Sequence, residues 1–310
     1  MHIVFMGTPE FAIPSLEKLL HSRHKVIAVV TGSDKPKGRG QLVCATPVKE
    51  YVSKYKIPAL CPTDLKADDF FKRLSSLEPE LGVVVAFRIL PQSIFDLPSK
   101  GTINLHASLL PKYRGAAPIN WALIKGENKT GLTTFFLQEK VDTGNIILQK
   151  EVDILSNETA GELSHRLAEL GASLLLETID LIENGKFELK RQDDSQVSLA
   201  PKITKEMCKI DWSKSALQIK NLIRGLSPVP AAYSIFKGKI LKVYRAEILN
   251  EKSPQAKSGE IIISNRMKSL IVKAKDKALE LMEIQLEGKK KMKGEEFIKG
   301  CRFQACEKLD

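Results

Sequence analysis

The sequence predicts a mainly parallel α/β sheet covered by helices, followed by a smaller barrel of short strands resembling an oligonucleotide-binding (OB-like) arrangement. Three observations carry this. The 310 residues suffice for two domains of roughly 150 residues each. The first two hundred residues alternate apolar runs with helix signals, the pattern of successive βα units. The final third changes to short strands separated by Gly, Asn, Ser and Asp, and it is strongly basic.

Residues 2–6 form the first strand, closed by Gly7-Thr8-Pro9, and residues 14–22 the first helix. Buried-type strands follow at 26–30, 81–86 and 102–105. Residues 132–137 and 145–150 read as two more, joined by a turn at Asp142-Thr143-Gly144. The clearest helix opens at Thr159, with Glu162 three residues on in the spacing of a capping box. Leu163, Leu167, Leu170 and Leu174 then build one apolar stripe, and Gly185 stops it. Residues 189–205, polar and carrying a proline, read as a linker between a catalytic domain at 1–188 and a basic domain at 206–310. The latter opens with a helix at 215–224, and strands are expected at 232–236, 239–245, 259–263, 269–272 and 278–285.

Hydrophobic residues at 43% and charged residues at 27% exclude a disordered or collagen-like chain. No run approaches the ~18–20 apolar residues of a membrane helix, and the first residues lack the charged start and cleavage site of a signal peptide. Five cysteines without a Cys-x-x-Cys pair argue against a disulfide framework or a structural zinc site. A cytoplasmic protein is expected. Net charge is +4 over residues 1–100, −4 over 101–200 and +11 over 201–310. A basic block of that kind suggests a polyanionic partner.

Open α/β sheets bind ligands outside the carboxyl ends of their strands, and three segments fall there. Gly7-Thr8-Pro9-Glu10 follows the first strand but lacks the Gly-x-Gly-x-x-Gly of a dinucleotide site. Asn104 and His106 stand two apart on an extended chain, so they leave one face. An amide donor beside an imidazole suits a developing oxyanion and a proton transfer near neutrality. Ser108-Leu109-Leu110-Pro111, then Arg114-Gly115, continue as an irregular loop. Asp142, in an Asp-x-Gly turn of the same sheet, is a carboxylate able to reach the histidine and orient its ring. This amide–imidazole–carboxylate set suits acyl transfer, and no metal-ligand cluster accompanies it.

The run Asn104-x-His106-x-Ser108-Leu109-Leu110-Pro111-x-x-Arg114-Gly115, with Asp142-x-Gly144, resembles the folate-dependent formyltransferase family. Gly7-Thr8-Pro9-Glu10-Phe11 and Asp34-Lys35-Pro36-Lys37-Gly38-Arg39-Gly40 are similar to the branch acting on initiator methionyl-tRNA. The likeness continues in Leu226-Ser227-Pro228-Val229-Pro230-Ala231-Ala232-Tyr233 and Gly288-Lys289-Lys290-Lys291-Met292. It implies a Rossmann-like catalytic domain and a C-terminal barrel. It further implies formyl transfer from 10-formyltetrahydrofolate to the methionyl amino group, without a metal. Asn104, His106 and Asp142 match the catalytic residues, and Ser108, Leu109, Leu110 and Pro111 the folate loop. Arg88 and Val229 depart from the family, standing where many members carry a small residue and a tryptophan.

The glycine-rich stretch 31–47 is long for a βα loop, where ~2–6 residues is usual. Its Lys35, Lys37 and Arg39 suit phosphates or base edges, and they match the family's tRNA-contacting insertion. Lys289, Lys290 and Lys291, with Lys293, would add affinity for the RNA backbone. No membrane and no obligate protein partner are implied. A formyltransferase acting on a small amine, a ribonucleotide or amino sugar, would share the Asn–His–Asp set but has no need of the basic segments. A dehydrogenase lacks its glycine fingerprint here, and a purely RNA-binding protein would leave the set idle.

Overall fold

The computed structural model describes residues 1–37, 42–249, 256–262, 269–300 and 307–310. In chain order, β1 (His2–Gly7), α1 (Ile13–Leu20) and β2 (Lys25–Val30) lead into a short ribbon, β3 (Lys35–Lys37) and β4 (Leu42–Cys44). Next come α2 (Pro47–Val52), β5 (Ala59–Leu60), α3 (Asp68–Ser75), β6 (Leu81–Val85) and α4 (Gln92–Phe95). Then follow β7 (Thr102–His106), α5 (Pro118–Lys125), β8 (Lys129–Phe136), β9 (Ile146–Asp153) and α6 (Ala160–Glu183). The remainder is α7 (Ala216–Leu226), β10 (Ala232–Phe236), β11 (Lys239–Leu249), β12 (Ile261–Ile262), β13 (Ile271–Lys273), β14 (Ala278–Leu286), β15 (Met292–Lys293) and α8 (Gly294–Gly300).

These elements form two compact units. The first comprises residues 1–116, 130–153 and 164–200, and the second 117–129, 154–163 and 201–310. The first holds a seven-stranded sheet in the order β5-β2-β1-β6-β7-β8-β9. From β5 to β7 every neighbouring pair is parallel, and β7 pairs β8 antiparallel. The chain builds outward from β1 to β5, then returns to add β6 and β7 on the other side of β1. The switch point therefore lies between β1 and β6, and a ligand crevice is expected at the strands' carboxyl ends. Residues of β1, β2 and β6 such as Phe5, Ala28, Val29 and Val83 are wholly buried, as two-sided cover by helices requires. Helix α6 lies close against β7 and β8, because a Cβ on Gly171 would come within 2.8 Å of the Leu105 side chain and 3.4 Å of Leu132.

The second unit is an antiparallel sheet of the half-barrel kind, ordered β10-β11-β14-β13-β12, with β15 added on β14. Helix α7 supplies Ala216, Ile219, Ile223 and Leu226 to its core, against Leu241, Val243, Leu279 and Leu281 of the strands. Ser215 and Gln218 close a capping box on that helix, and the Ala216 N–H donates to the Asp276 carboxylate at 2.8 Å.

Several expectations change in the structure. The segment 31–47 is not all loop, since Lys35–Lys37 pairs antiparallel with Leu42–Cys44. Pro36 is tolerated because a two-stranded ribbon always has an unpaired edge. Nor are residues 189–200 a free connection. Lys190 exchanges backbone hydrogen bonds with Ile146, and Arg114 does so with Ser198 and Ala200, which anchors the segment in the first unit. Helix α5 was not expected at all, although Pro118 in its first turn and Gly126 at φ +77° after its last mark both ends. Residue 263 of the expected strand 259–263, Arg39, Cys301 and Cys306 lie outside the described residues. Cys61 and Cys208 are free thiols.

Candidate functional site

Strand β7 positions two of the expected residues. Its interior is buried between β6 and β8, and it ends at His106, which is itself 6% exposed. Asn104 is half-buried two residues earlier, paired in register with Val84 and Phe135. The His106 ring is held by a main-chain oxygen: Nε2–H donates to the Tyr113 carbonyl at 2.9 Å. A carbonyl can only accept, so Nε2 carries the proton, and in the neutral ring Nδ1 is the basic nitrogen. Nδ1 lies 3.8 Å from Asp142 Oδ2, an ion-pair distance but too long for a direct hydrogen bond.

One three-residue stretch serves both partners. Tyr113 receives the His106 proton donor, while the Gly115 N–H donates to Asp142 Oδ2 at 2.8 Å. Tyr113 itself sits at φ +61°, and its N–H donates to Ser198 Oγ at 2.9 Å. Gly115 is at φ +126°, where a Cβ would also lie 2.7 Å from the Ala200 carbonyl oxygen. Only glycine fits there. Asp142 adopts φ +55°, a left-handed conformation that Asp tolerates better than most residues. Two residues on, a Cβ at Gly144 would run into the Phe136 carbonyl oxygen. The glycines of both motifs thus answer to close backbone approach.

Sequence reasoning missed Gln192, which lay within the expected linker. It is 6% exposed, and its Nε2 donates to the carbonyl oxygens of Asp142 (2.9 Å) and Gly144 (2.8 Å). Its Oε1 accepts from Arg114 Nε (3.0 Å) and Nη2 (2.7 Å), and Arg114 Nη2 also reaches Asp194 at 2.9 Å. Nothing local in the sequence marks this residue, because all four of its bonds are tertiary.

The loop expected to meet folate divides in two. Ser108 is fully buried and donates to the Lys112 carbonyl at 2.6 Å. Leu110, 3% exposed, packs with Phe135 and Ile146. Both turn inward, while Leu109 and Pro111 are half-buried. The Leu110–Pro111 peptide is cis. Gln149 Nε2 and Thr133 Oγ1 donate to the carbonyls of Leu110 and Ser108 at 2.8 and 2.7 Å, which pins the loop to β8 and β9. Arg88 donates to the carbonyls of Pro62 and Thr63, the latter at 3.0 Å.

Of the expected RNA contacts, Lys35 and Lys37 stand in β3 and Arg39 is outside the described residues. Lys289 and Lys290 are exposed on the turn before β15, and Lys293 is exposed within that strand. Lys291 is held: its ammonium is 2.8 Å from Glu283 and 4.5 Å above the Tyr244 ring. Among the described residues one histidine–carboxylate cluster does occur, with His24 donating to Asp180 at 3.1 Å beside Glu183. Its charges are matched by Arg23, at 2.8 Å from Asp180 and 2.7 Å from Glu183, and by the Met1 amino group.

Residues 1–179 match the family profile "Formyl transferase", and residues 202–302 match "Formyl transferase, C-terminal domain". The methionyl-tRNA formyltransferase of Flavobacterium johnsoniae is 44% identical over 308 residues, covering 98% of this chain and 97% of that protein. The chain belongs to the methionyl-tRNA formyltransferase family. Its relative of the same name in Alkaliphilus oremlandii is 46% identical over 301 residues, covering 97% of this chain and 96% of that one. Among solved structures, the methionyl-tRNA formyltransferase from Clostridium thermocellum superposes with a TM-score of 0.55 at 18% identity, over 81% of this chain and 95% of that one. The sugar 3N-formyl transferase WlaRD, solved in the presence of dTDP and 5-N-formyl-THF, gives 0.67 at 20% identity over 94% and 99%. At such identities the likeness is one of fold.

Proposed function

We propose that this chain transfers a formyl group from 10-formyltetrahydrofolate to the amino group of initiator methionyl-tRNA, in the cytoplasm. The observation that carries the mechanism is the His106–Asp142 pair at the carboxyl end of β7, tied together by residues 113–115. An unprotonated amine must attack the formyl carbon to give a tetrahedral oxyanion, whose collapse breaks the bond to N10 and releases tetrahydrofolate, N10 gaining a proton as the amine loses one. Free α-amino groups titrate near 7.7–8.0, so a modest base suffices to collect the proton. His106 Nδ1 is assigned that task, because Nε2 is committed to the Tyr113 carbonyl. The imidazolium that results faces the Asp142 carboxylate, which Gly115 holds in place. Asn104, two residues before His106 on β7, donates to the oxyanion.

Folate recognition is assigned to the loop 108–111. With Ser108 and Leu110 turned inward, it presents Leu109 and Pro111. The RNA is assigned to the segment carrying Lys35, Lys37 and Arg39, and to the basic second unit with Lys289 and Lys290. The test is transfer of radiolabelled formyl from 10-formyltetrahydrofolate to charged initiator tRNA, with free methionine and small amines as controls. Labelling confined to the charged tRNA is expected. Preferential labelling of a ribonucleotide or amino sugar would overturn the assignment.

A further inference from the structure

We propose that Gln192 is a positioning residue for the formyl-transfer site, setting where the Asp142 carboxylate stands opposite His106. The proposal rests on the reading of His106 and Asp142 given above. A side-chain amide has two N–H donors and one oxygen with two lone pairs. At Gln192 all four are used, two on the carbonyls of Asp142 and Gly144 and two on the Arg114 guanidinium. The amide's orientation is forced, since carbonyls only accept and a guanidinium only donates.

Together with the bond from the Gly115 N–H, these four bonds close a ring through the Asp142 turn. Arg114 immediately precedes Gly115, whose N–H donates to Asp142 Oδ2. The amide of Gln192 therefore grips the Asp142 turn on one side and the neighbour of its N–H donor on the other. Asp142 needs such a grip. It is a non-glycine residue at φ +55°, and bonds to the carbonyls of residues 142 and 144 straddle that conformation. His106 is fixed independently, through Nε2 and the Tyr113 carbonyl. Loosening Gln192 thus lets the carboxylate drift relative to an imidazole that stays put.

Two substitutions separate the halves of the ring. Gln192→Met keeps the length and removes every hydrogen bond. Gln192→Glu keeps an acceptor for Arg114 but turns a carboxylate oxygen toward two carbonyls. Both should lower kcat about 10- to 100-fold, the scale of a misplaced catalytic group, with KM for folate and for methionyl-tRNA within about twofold of wild type. Combining either with Asp142→Asn should add little further loss, because two changes acting through one carboxylate are not additive. Thermal unfolding of each variant accompanies the kinetics.

If Gln192→Glu keeps wild-type kcat while Gln192→Met loses it, the Arg114 side is what matters and the proposal falls. It falls equally if the losses of Gln192→Met and Asp142→Asn multiply in the double variant. Wild-type kcat in Gln192→Met beside an impaired Asp142→Asn would sink this proposal alone. An unimpaired Asp142→Asn would sink the catalytic reading and this proposal with it.

Discussion

The proton on His106 Nε2 is spoken for by a main-chain oxygen, so in the proposed mechanism the base and the carboxylate that answers its charge meet at Nδ1. Asp142→Asn keeps the shape and the bond from Gly115 but removes that charge. It should cost at least about 10²-fold in kcat and alter the shape of the pH–rate profile, measured with both substrates saturating. A profile and rate like wild type would leave Asp142 a turn residue only. Asn104→Ala should lose about 10²–10³-fold, the usual cost of one oxyanion donor, with substrate affinities largely kept. Gly144 poses a different question. Its Cβ has no room beside the Phe136 carbonyl, so Gly144→Ala must displace the Asp142 turn or part β8 from it. The expected cost is about 1–3 kcal/mol of stability by urea unfolding, together with reduced kcat. Unchanged stability would mean that the turn moves freely.

Helix α6 shows how far local chemistry reads directly from residues. The Thr159 N–H donates to Glu162 Oε2 at 2.9 Å, and the Glu162 N–H returns to Thr159 Oγ1 at 3.4 Å, the capping box that the spacing predicts. Leu163 and Leu167 of the expected stripe are wholly buried, and Gly185 sits at φ +63° just past the last turn. The bond from the Thr159 N–H, aided by the Thr159 hydroxyl and Arg245, holds the Glu162 carboxyl below its ordinary 4.5. A depressed carboxylate stabilises the fold above its unfolded pKa, and that contribution fades as pH falls through the folded value. Glu162→Gln retains an acceptor without charge. It should therefore be less stable than wild type at neutral pH and converge with it in acid below 4.5, as read from urea midpoints across the pH range. A constant gap would deny the charge any part. Strands β1, β2 and β6 were equally legible, because burial on both faces writes itself as an apolar run. Gln192 and the short helices α2 to α5 were not. The helices are too brief for periodicity to declare itself, and Gln192 owes its place to residues 48 to 78 positions away.

At the scale of the molecule, the proposed chemistry and the charge separate between the units. Segments 117–129 and 154–163 add +1 and −2 to the +11 of residues 201–310, leaving the second unit at +10 and the first at +1. A folded unit so charged attracts a polyanion without reading its sequence, and counterion release makes such binding fall steeply with salt. Charge alone does not say which lysines take part, and here the structure discriminates. Lys289 and Lys290 are exposed, whereas the Lys291 ammonium is engaged by Glu283 and the Tyr244 ring. Replacing Lys289 and Lys290 with alanine should weaken initiator and elongator tRNAs alike. It should also flatten the slope of log affinity against log salt by about one for each phosphate that is no longer neutralised. Turnover at saturation should hold, because neither lysine belongs to the unit that carries His106 and Asp142. Lys291→Ala should change the slope less than either. Arg39→Ala, altering the first unit's own basic segment, should instead lower formylation of initiator tRNA more than that of poor tRNA substrates. The measurement is formylation and binding of both tRNAs across a salt series. Should the Lys289 and Lys290 variant change the ratio between tRNAs while Arg39→Ala lowers both equally, discrimination would belong to the second unit and the division of labour would be reversed.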